Sequence, residues 1–165
     1  MDKKVRVLLI KNITIFLLYF LLYLVLPNFY FDMPRIRIAM VLSLIVLFDF
    51  SYFYGVSLAI VVVNLFSSIG ISDIILSSLL TILSIYIASK YVFKKSVFKA
   101  SLLIVLASIG SVIAMKIHYA VPFNLVSKLL HSLAGDFMVL SLFGSLLFYT
   151  IKDTKLFKLI TENKE

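Results

Sequence analysis

The sequence predicts an all-α integral membrane protein, a bundle of six transmembrane helices with both termini in the cytoplasm. Two observations support this fold class. Hydrophobic residues make up 62% of the 165 residues, and the 15% that are charged are concentrated between long uncharged stretches. A mean hydropathy of +1.12 leaves too little polar side chain to cover a soluble core. The chain is therefore predicted to lie in the cell membrane as a multi-pass protein.

Basic residues set the predicted topology. Because cytoplasmic loops retain Lys and Arg, the patches at both ends and in the middle of the chain predict an even number of crossings with both termini inside. A net charge of +8 would suit nucleic acid in a soluble domain, but here the basic residues border apolar spans, so the predicted partner is membrane lipid and not nucleic acid. Twelve residues mark the cytoplasmic side: Lys3, Lys4, Arg6, Lys11, Lys90, Lys94, Lys95, Lys99, Lys152, Lys155, Lys158 and Lys164.

The uncharged runs give the helix positions, because every backbone polar group in hydrocarbon must be hydrogen-bonded internally. The second run, Ile38 to Phe48, reaches only about half of a 30 Å core at 1.5 Å per residue, so Arg37 or Asp49 is expected at membrane depth. Joining it to the third run would make one helix too long for a bilayer and an odd number of crossings. The six helices are predicted at about residues 7–26, 38–48, 52–69, 73–92, 98–117 and 124–151, in one domain over residues 1–154 with a polar cytoplasmic tail at 155–165.

Several chemistries are excluded or unsupported by the residue inventory. The chain has no cysteine, so disulfides and thiolate sites are excluded. Its two histidines, His118 and His131, lack the spacing of a metal site, and no metal or cofactor is predicted. No glycine-rich phosphate loop is present, so the chain is not expected to hydrolyse ATP. Its acidic residues are dispersed and do not cluster as in an active site, so it is not expected to be an enzyme. The uncharged run from Asn12 to Phe31 has no small-residue cleavage signal and is predicted to be a retained span.

Polar residues inside the predicted spans are the first candidates for a binding site, because an ionisable group in hydrocarbon normally faces a cavity or a partner. Asp136 lies about 17 Å along the sixth helix. Lys128, Ser132 and Asp136 recur every four residues and so form one stripe, which points from the outer end of that helix towards its middle. Asp73, Ser77 and Thr81 repeat this spacing on the fourth helix, and Asn64 lies on the third.

Each of these residues also has a structural interpretation. Asp73 is a typical helix-start residue, and the hydroxyls of Ser77, Thr81 and Ser132 allow close helix packing. Asn64 suits an interhelical hydrogen bond. Asp136 suits a buried pair with Lys128 or Arg37. The pattern leaves both interpretations open.

The basic residues predicted on the outer side favour a solute-binding site more clearly than the polar residues within the spans do. Arg35 and Arg37 flank the short second helix on the side that topology keeps poor in arginine, and Asp32 is close by. Tyr30 and Phe31 in the same loop are suited to stacking on a planar ligand. A guanidinium beside aromatic rings and opposed carboxylates fits a small, planar, hydrogen-bonding solute. The residues alone thus predict a small-solute binder open to the outside.

Five short segments occur in an order and spacing that resemble a known family. They are Arg37-Ile38-Ala39-Met40-Val41-Leu42, Asn64-Leu65, Gly70-Ile71-Ser72-Asp73, Ser78-Leu79-Leu80-Thr81 and Gly135-Asp136. As a set, from about Arg35 to Lys152, they resemble the queuosine-precursor transporter (QueT) family of substrate-binding S components of energy-coupling factor (ECF) transporters.

The resemblance implies a six-helix S component that captures a 7-deazaguanine, such as preQ1, the aminomethyl base, or preQ0. It also implies three partner subunits, namely a transmembrane coupling subunit and two ABC ATPases. By matching position it implies that Arg37, Asn64, Asp73 and Asp136 bind the solute. The pattern of outer and stripe residues adds Arg35, Tyr30, Ser132 and Lys128 to the predicted site.

The chain departs from the family pattern at three places. Met40 and Asp136 stand where the family usually has glutamate, and no asparagine occurs among Ala107, Ser108 and Ser111. The first helix also lacks the alanines, four residues apart, that S components commonly use for docking. Other functions therefore stay open: an S component for another vitamin-like heterocycle, a membrane assembly or structural protein, and a lipid-modifying enzyme, although the acidic residues are too dispersed for the last.

Overall fold

The computed structural model describes residues 2–25, 38–66, 71–92, 96–107, 109–110, 112–113, 125–155 and 157. Within its helices, the side chains of residues 72, 73, 125, 126, 128 and 129 fall outside this description. All regular structure in these residues is helical. The all-α prediction is therefore confirmed for the described part of the chain.

The helices follow the predicted order. The bounds are α1 Lys3–Val25, a 3₁₀ segment Ile38–Leu44 leading into α2 Ile45–Phe48, a 3₁₀ turn Phe50–Tyr52, α3 Phe53–Leu65, α4 Ile71–Ile87 with a π-helical end Ala88–Val92, α5 Val97–Leu106, α6 Leu125–Asp136, a π-helical segment Phe137–Gly144, and α7 Ser145–Ile151. Residues 38–48 are called the second helix below, and residues 125–151 the last helix.

Three of the helical stretches are long and apolar enough to cross a membrane, namely Lys3–Val25, Ile74–Val92 and Leu130–Ile151. The second helix, Phe50–Leu65 and Val97–Leu106 are apolar but shorter over the described residues. Helix α1 begins about four residues before its predicted start, because Lys and Arg are good helix formers and extend the helix beyond its apolar run. Six crossings and cytoplasmic termini stay predictions.

Contacts between the elements close into a ring. Helix α1 packs on α3, α3 on α4, and α4 on α5. Helix α5 packs on the π-helical segment of the last helix, which contacts the 3₁₀ part of the second helix, and this part returns to α1. The ring places α3 and the last helix opposite each other. Its interior holds fully buried apolar side chains, including Leu44, Val56, Ala59, Ile104 and Leu140.

One end of the bundle collects the basic segments. The Nζ of Lys11 lies 2.7 Å from Oδ2 of Asp49, and the Nζ of Lys90 lies 4.3 Å from the ring centroid of Phe50. Phe157, in the predicted polar tail, is buried, and its ring centroid lies 5.0 Å from that of Phe48. The first half of α1, around Lys11, the π-helical end of α4 and the C-terminal region therefore meet at residues 48–50, which we call the lysine-rich end.

Asp49 was one of two residues expected at membrane depth, and the structure gives it a specific partner. Its side chain is 6% exposed and pairs with Lys11, while its other oxygen accepts a hydrogen bond from the Ser51 backbone at 2.9 Å. The buried charge is thus compensated. Arg37, the alternative residue, lies outside the described residues.

Helices α1 and α3 cross closely at Gly55. The Asn12 side chain accepts a hydrogen bond from the Gly55 backbone and donates one to the Ser51 carbonyl at 2.8 Å. A Cβ added at Gly55 would lie 2.6 Å from Cγ2 of Ile15 and 2.9 Å from Cα of Asn12. Only glycine fits here, because the backbone of α1 cannot move aside without breaking these bonds.

We expect Gly55→Ala to lower the free energy of unfolding by about 1 to 3 kcal/mol, the usual penalty for overpacking. The measurement is thermal unfolding in detergent. Gly144→Ala is the matched control, since the nearest atom to its added Cβ would be Cδ1 of Leu44 at 2.7 Å, the end of a flexible side chain, and the nearest backbone atom would be the Val139 oxygen at 3.1 Å. Equal melting temperatures for the two variants would contradict the role given to the α1–α3 crossing.

Candidate functional site

Asp136 ends α6 and is 1% exposed, the most deeply buried acidic residue in the described chain. It lies six residues after Leu130 in the apolar stretch Leu130–Ile151, hence about 9 Å from the start of that stretch. An ionisable residue at this depth is costly and usually functional. The π-helical segment begins at the next residue, and such segments are frequent at functional sites.

The last helix presents one continuous buried face to the ring interior. Ser132 (8% exposed) and Asp136 lie one turn apart on it, and Leu140, Gly144 and Phe148 continue the same spacing and are also buried. This face is polar at Ser132 and Asp136. It is apolar at Leu140, Gly144 and Phe148, towards the lysine-rich end. Ser132 and Asp136 are therefore placed together, as the sequence predicts.

Asn64 lies at the end of α3 and is 4% exposed. Its Nδ2 donates a hydrogen bond to the Oγ of Ser78 on α4 at 2.9 Å. The interhelical hydrogen bond that the sequence left open for Asn64 is thus present. The ring order sets Asn64 opposite the polar half of the last helix, on the same side of the bundle, away from the lysine-rich end.

Helix α4 lines the interior between them with hydroxyl groups. Ser77, Ser78, Thr81 and Ser84 are all buried. Ser84 donates to the Thr81 carbonyl at 2.8 Å, but the Thr81 hydroxyl has no hydrogen-bond partner within the described residues. A helical threonine commonly bonds a carbonyl one turn back, and a buried hydroxyl without a partner needs an explanation. Thr81 is thus a further candidate for solute contact.

Thr81 was not among the predicted site residues, although a signal for it existed. The four-residue spacing of Asp73, Ser77 and Thr81 placed all three on one face of the fourth helix. The spacing does not show that the Thr81 hydroxyl is buried or that it has no hydrogen bond within the described residues. Both facts depend on how the helices pack.

Five predicted site residues cannot be located by their side chains. Tyr30, Arg35 and Arg37 lie outside the described residues. Asp73 and Lys128 lie within α4 and α6, but their side chains fall outside the description. The structure thus brings together Ser132 and Asp136, places Asn64 on the opposite helix, and leaves the outer basic residues as predictions.

His131, one of the two histidines, lies off the buried face of the last helix. It is exposed, and its Nδ1 lies 2.7 Å from the Ser127 carbonyl oxygen of the preceding turn. Among the described side chains, no group of three or more His, Cys, Asp or Glu residues is close enough together to hold a metal ion.

A separate groove of about 660 Å³ opens on the outside of the bundle and contains none of the predicted site residues. It runs beside α5 along residues 138–149 of the last helix and is mainly apolar. Its lining residues are Phe98, Met138, Ser141, Leu142, Phe143, Ser145, Leu146 and Tyr149.

Comparison with known families identifies one match. A family model described as QueT transporter matches residues 9–153. The matched range extends from residue 9, within α1, to just beyond the end of α7, and it includes Asn64, Thr81, Ser132 and Asp136. No curated protein and no solved structure matches the chain.

Proposed function

This chain belongs to the QueT transporter family, and from that premise we propose that it is the S component of an ECF importer that captures a queuosine precursor on the outer side of the membrane. A role in membrane transport follows from the family and from the long apolar helices. The observation that carries the finer proposal is the burial of Asp136, 1% exposed, inside an apolar span and on the interior face of the ring.

The buried polar groups suit a 7-deazaguanine. Such a base offers N–H donors on one edge and a carbonyl acceptor, and its aminomethyl form adds a cation. The Asp136 carboxylate accepts hydrogen bonds from donors or pairs with the cation, while the Thr81 hydroxyl can donate or accept. The Asn64 amide and the Ser132 hydroxyl complete the described part of the proposed site.

Outer residues complete the proposed site on the sequence argument. Arg37 and Arg35 would donate to a carbonyl acceptor, and Tyr30 would stack on the ring system. Asp73 and Lys128 would stand at the outer ends of α4 and α6, each one turn before the first buried polar residue of its helix, Ser77 and Ser132.

The lysine-rich end supports a cytoplasmic position for both termini. Lys11, Lys90 and the segment after Lys152 gather at one end of the bundle, and positive charge is retained on the cytoplasmic side. Asn64 and Asp136 lie in the other half, which would then open outwards. This arrangement favours an even number of crossings, such as the predicted six, because both chain ends would lie at the same membrane face.

The proposed partners are a coupling subunit and two ABC ATPases, with transport driven by their ATP hydrolysis. The family resemblance suggests them, and the sequence contains no phosphate-binding loop of its own. Helix α1 leaves much of its apolar surface uncovered by the rest of the chain, including Ile13, Leu17 and Leu21, each more than half exposed. This surface contacts lipid in the isolated chain and is available for helix packing in a complex.

The proposal predicts selective thermal stabilisation of the purified protein in detergent. A ligand at one hundred times its Kd stabilises the native state by about 2.7 kcal/mol, so 7-deazaguanines should raise the unfolding temperature whereas riboflavin, thiamin and folate should not. Stabilisation by one of the vitamins alone would indicate an S component for another heterocycle. No shift with any of these compounds would favour a membrane assembly protein.

A further inference from the structure

The groove beside α5 has the length of one membrane leaflet. Its lining extends along the last helix from Met138 to Tyr149, which is at most about 17 Å at the α-helical rise of 1.5 Å per residue, because the π-helical part rises less. A hydrocarbon core is about 30 Å thick, so this length is close to half of it. The groove therefore runs from the lysine-rich end of the bundle to about the middle of the bilayer.

The groove surface suits a hydrocarbon chain. Two serines lie along it, but their hydroxyls are bonded within the protein: Ser141 accepts a hydrogen bond from Ser101 at 3.0 Å, and Ser145 donates to the Ser141 carbonyl. The other lining residues are aliphatic or aromatic. An occupant thus needs no polar atoms along most of the groove.

The end of the groove at the membrane surface is basic. Tyr149 lines it, and the Nζ of Lys152 lies 5.0 Å from the centroid of the Tyr149 ring. Lys152 is exposed, so its ammonium group is accessible to a head group. Lysines beside helices at the cytoplasmic face attract anionic lipid head groups.

We propose that this groove binds an anionic phospholipid of the cytoplasmic leaflet, with one acyl chain lying along the last helix and the phosphate bound by Lys152. The apolar lining and the length of the groove suit an acyl chain. Lys152 at the Tyr149 end suits a negatively charged head group. The site is distinct from the buried polar site, because it lies on the outer surface and shares none of its residues.

The experiment uses the absence of tryptophan from the chain. Phe143→Trp places the chain's single tryptophan in the groove at a position that is 61% exposed, where it can be excited selectively over the nine tyrosines. The protein is placed in phosphatidylcholine nanodiscs that contain either brominated phosphatidylglycerol or brominated phosphatidylcholine, and quenching is compared. We expect the anionic lipid to compete for the groove about fivefold better, the effect of one nearby lysine.

Three controls isolate the groove. Lys152→Gln in the Phe143→Trp background should remove the preference, whereas Lys90→Gln should retain it, since Lys90 makes the same kind of ring contact with Phe50 at another position. Leu17→Trp on the exposed face of α1 should show equal quenching by the two lipids. Equal quenching at position 143, or a preference that survives Lys152→Gln, would overturn the proposal. So would the absence of quenching by either lipid, which would mean that a protein segment fills the groove.

Discussion

Asp136→Asn should weaken solute binding by about 1.5 to 3 kcal/mol, a rise in Kd of about 10- to 150-fold. The substitution keeps the size of the side chain but removes the charge, so hydrogen bonds from a purine-like donor edge lose their charge assistance. Asp136 is 1% exposed, and little water is available to replace the lost interaction. Isothermal titration of the purified protein with a 7-deazaguanine measures the change directly.

The same variant separates binding from structural support. If Asp136 only pairs with a neighbouring side chain, the unfolding temperature should fall while the affinity for solute stays unchanged, which would contradict the proposed contact. Asp153→Asn is the matched control, because Asp153 is exposed just beyond the end of α7. It should leave both the affinity and the unfolding temperature unchanged.

Asp49→Ala should lower the free energy of unfolding by about 3 kcal/mol, near the lower end of the range for breaking a buried ion pair. Asp49 holds Lys11 at 2.7 Å, with side-chain exposures of 6% for the aspartate and 14% for the lysine. Removing the carboxylate takes away the negative charge that Asp49 supplies to a largely buried ammonium group. The change should be visible in thermal or denaturant unfolding in detergent.

A double substitution tests whether the lost charge balance is the cause. Lys11→Met combined with Asp49→Leu should recover most of the stability, because apolar residues of similar volume replace buried ion pairs well. Solute affinity should be unchanged in the double variant, since the pair lies at the lysine-rich end, away from Asn64 and Asp136. A double variant as unstable as Asp49→Ala would show that the loss comes from packing and not from charge.

The positions of the helices were largely predictable from the sequence. Backbone polar groups in hydrocarbon must be hydrogen-bonded internally, so the uncharged runs mark the helices, and the second helix ends at Phe48, as predicted. The last helix ends at Ile151, also as predicted. The start of α1 was placed too late because charged residues were taken as its boundary, whereas Lys3 and Lys4 are helical themselves.

Partners across the bundle were not predictable. Lys11 served only as a topological marker and Asp49 only as a residue at uncertain depth, and nothing in the sequence pairs two residues 38 positions apart. The Asn64–Ser78 hydrogen bond likewise depends on how α3 and α4 meet. Spacing along one helix did predict that Ser132 and Asp136 share a face, because that relation is local.

The π-helical segment Phe137–Gly144 determines which residues of the last helix lie on the same face before and after it. In a pure α-helix, positions four residues apart drift by about 40° per step, so the four steps from Ser132 to Phe148 would turn by about 160° and point one end at lipid. The wider turns of the segment cancel this drift, and all five positions remain buried. Deleting one residue from the segment would therefore turn Asp136 by about 100° relative to Phe148, so that the two residues would no longer share a buried face.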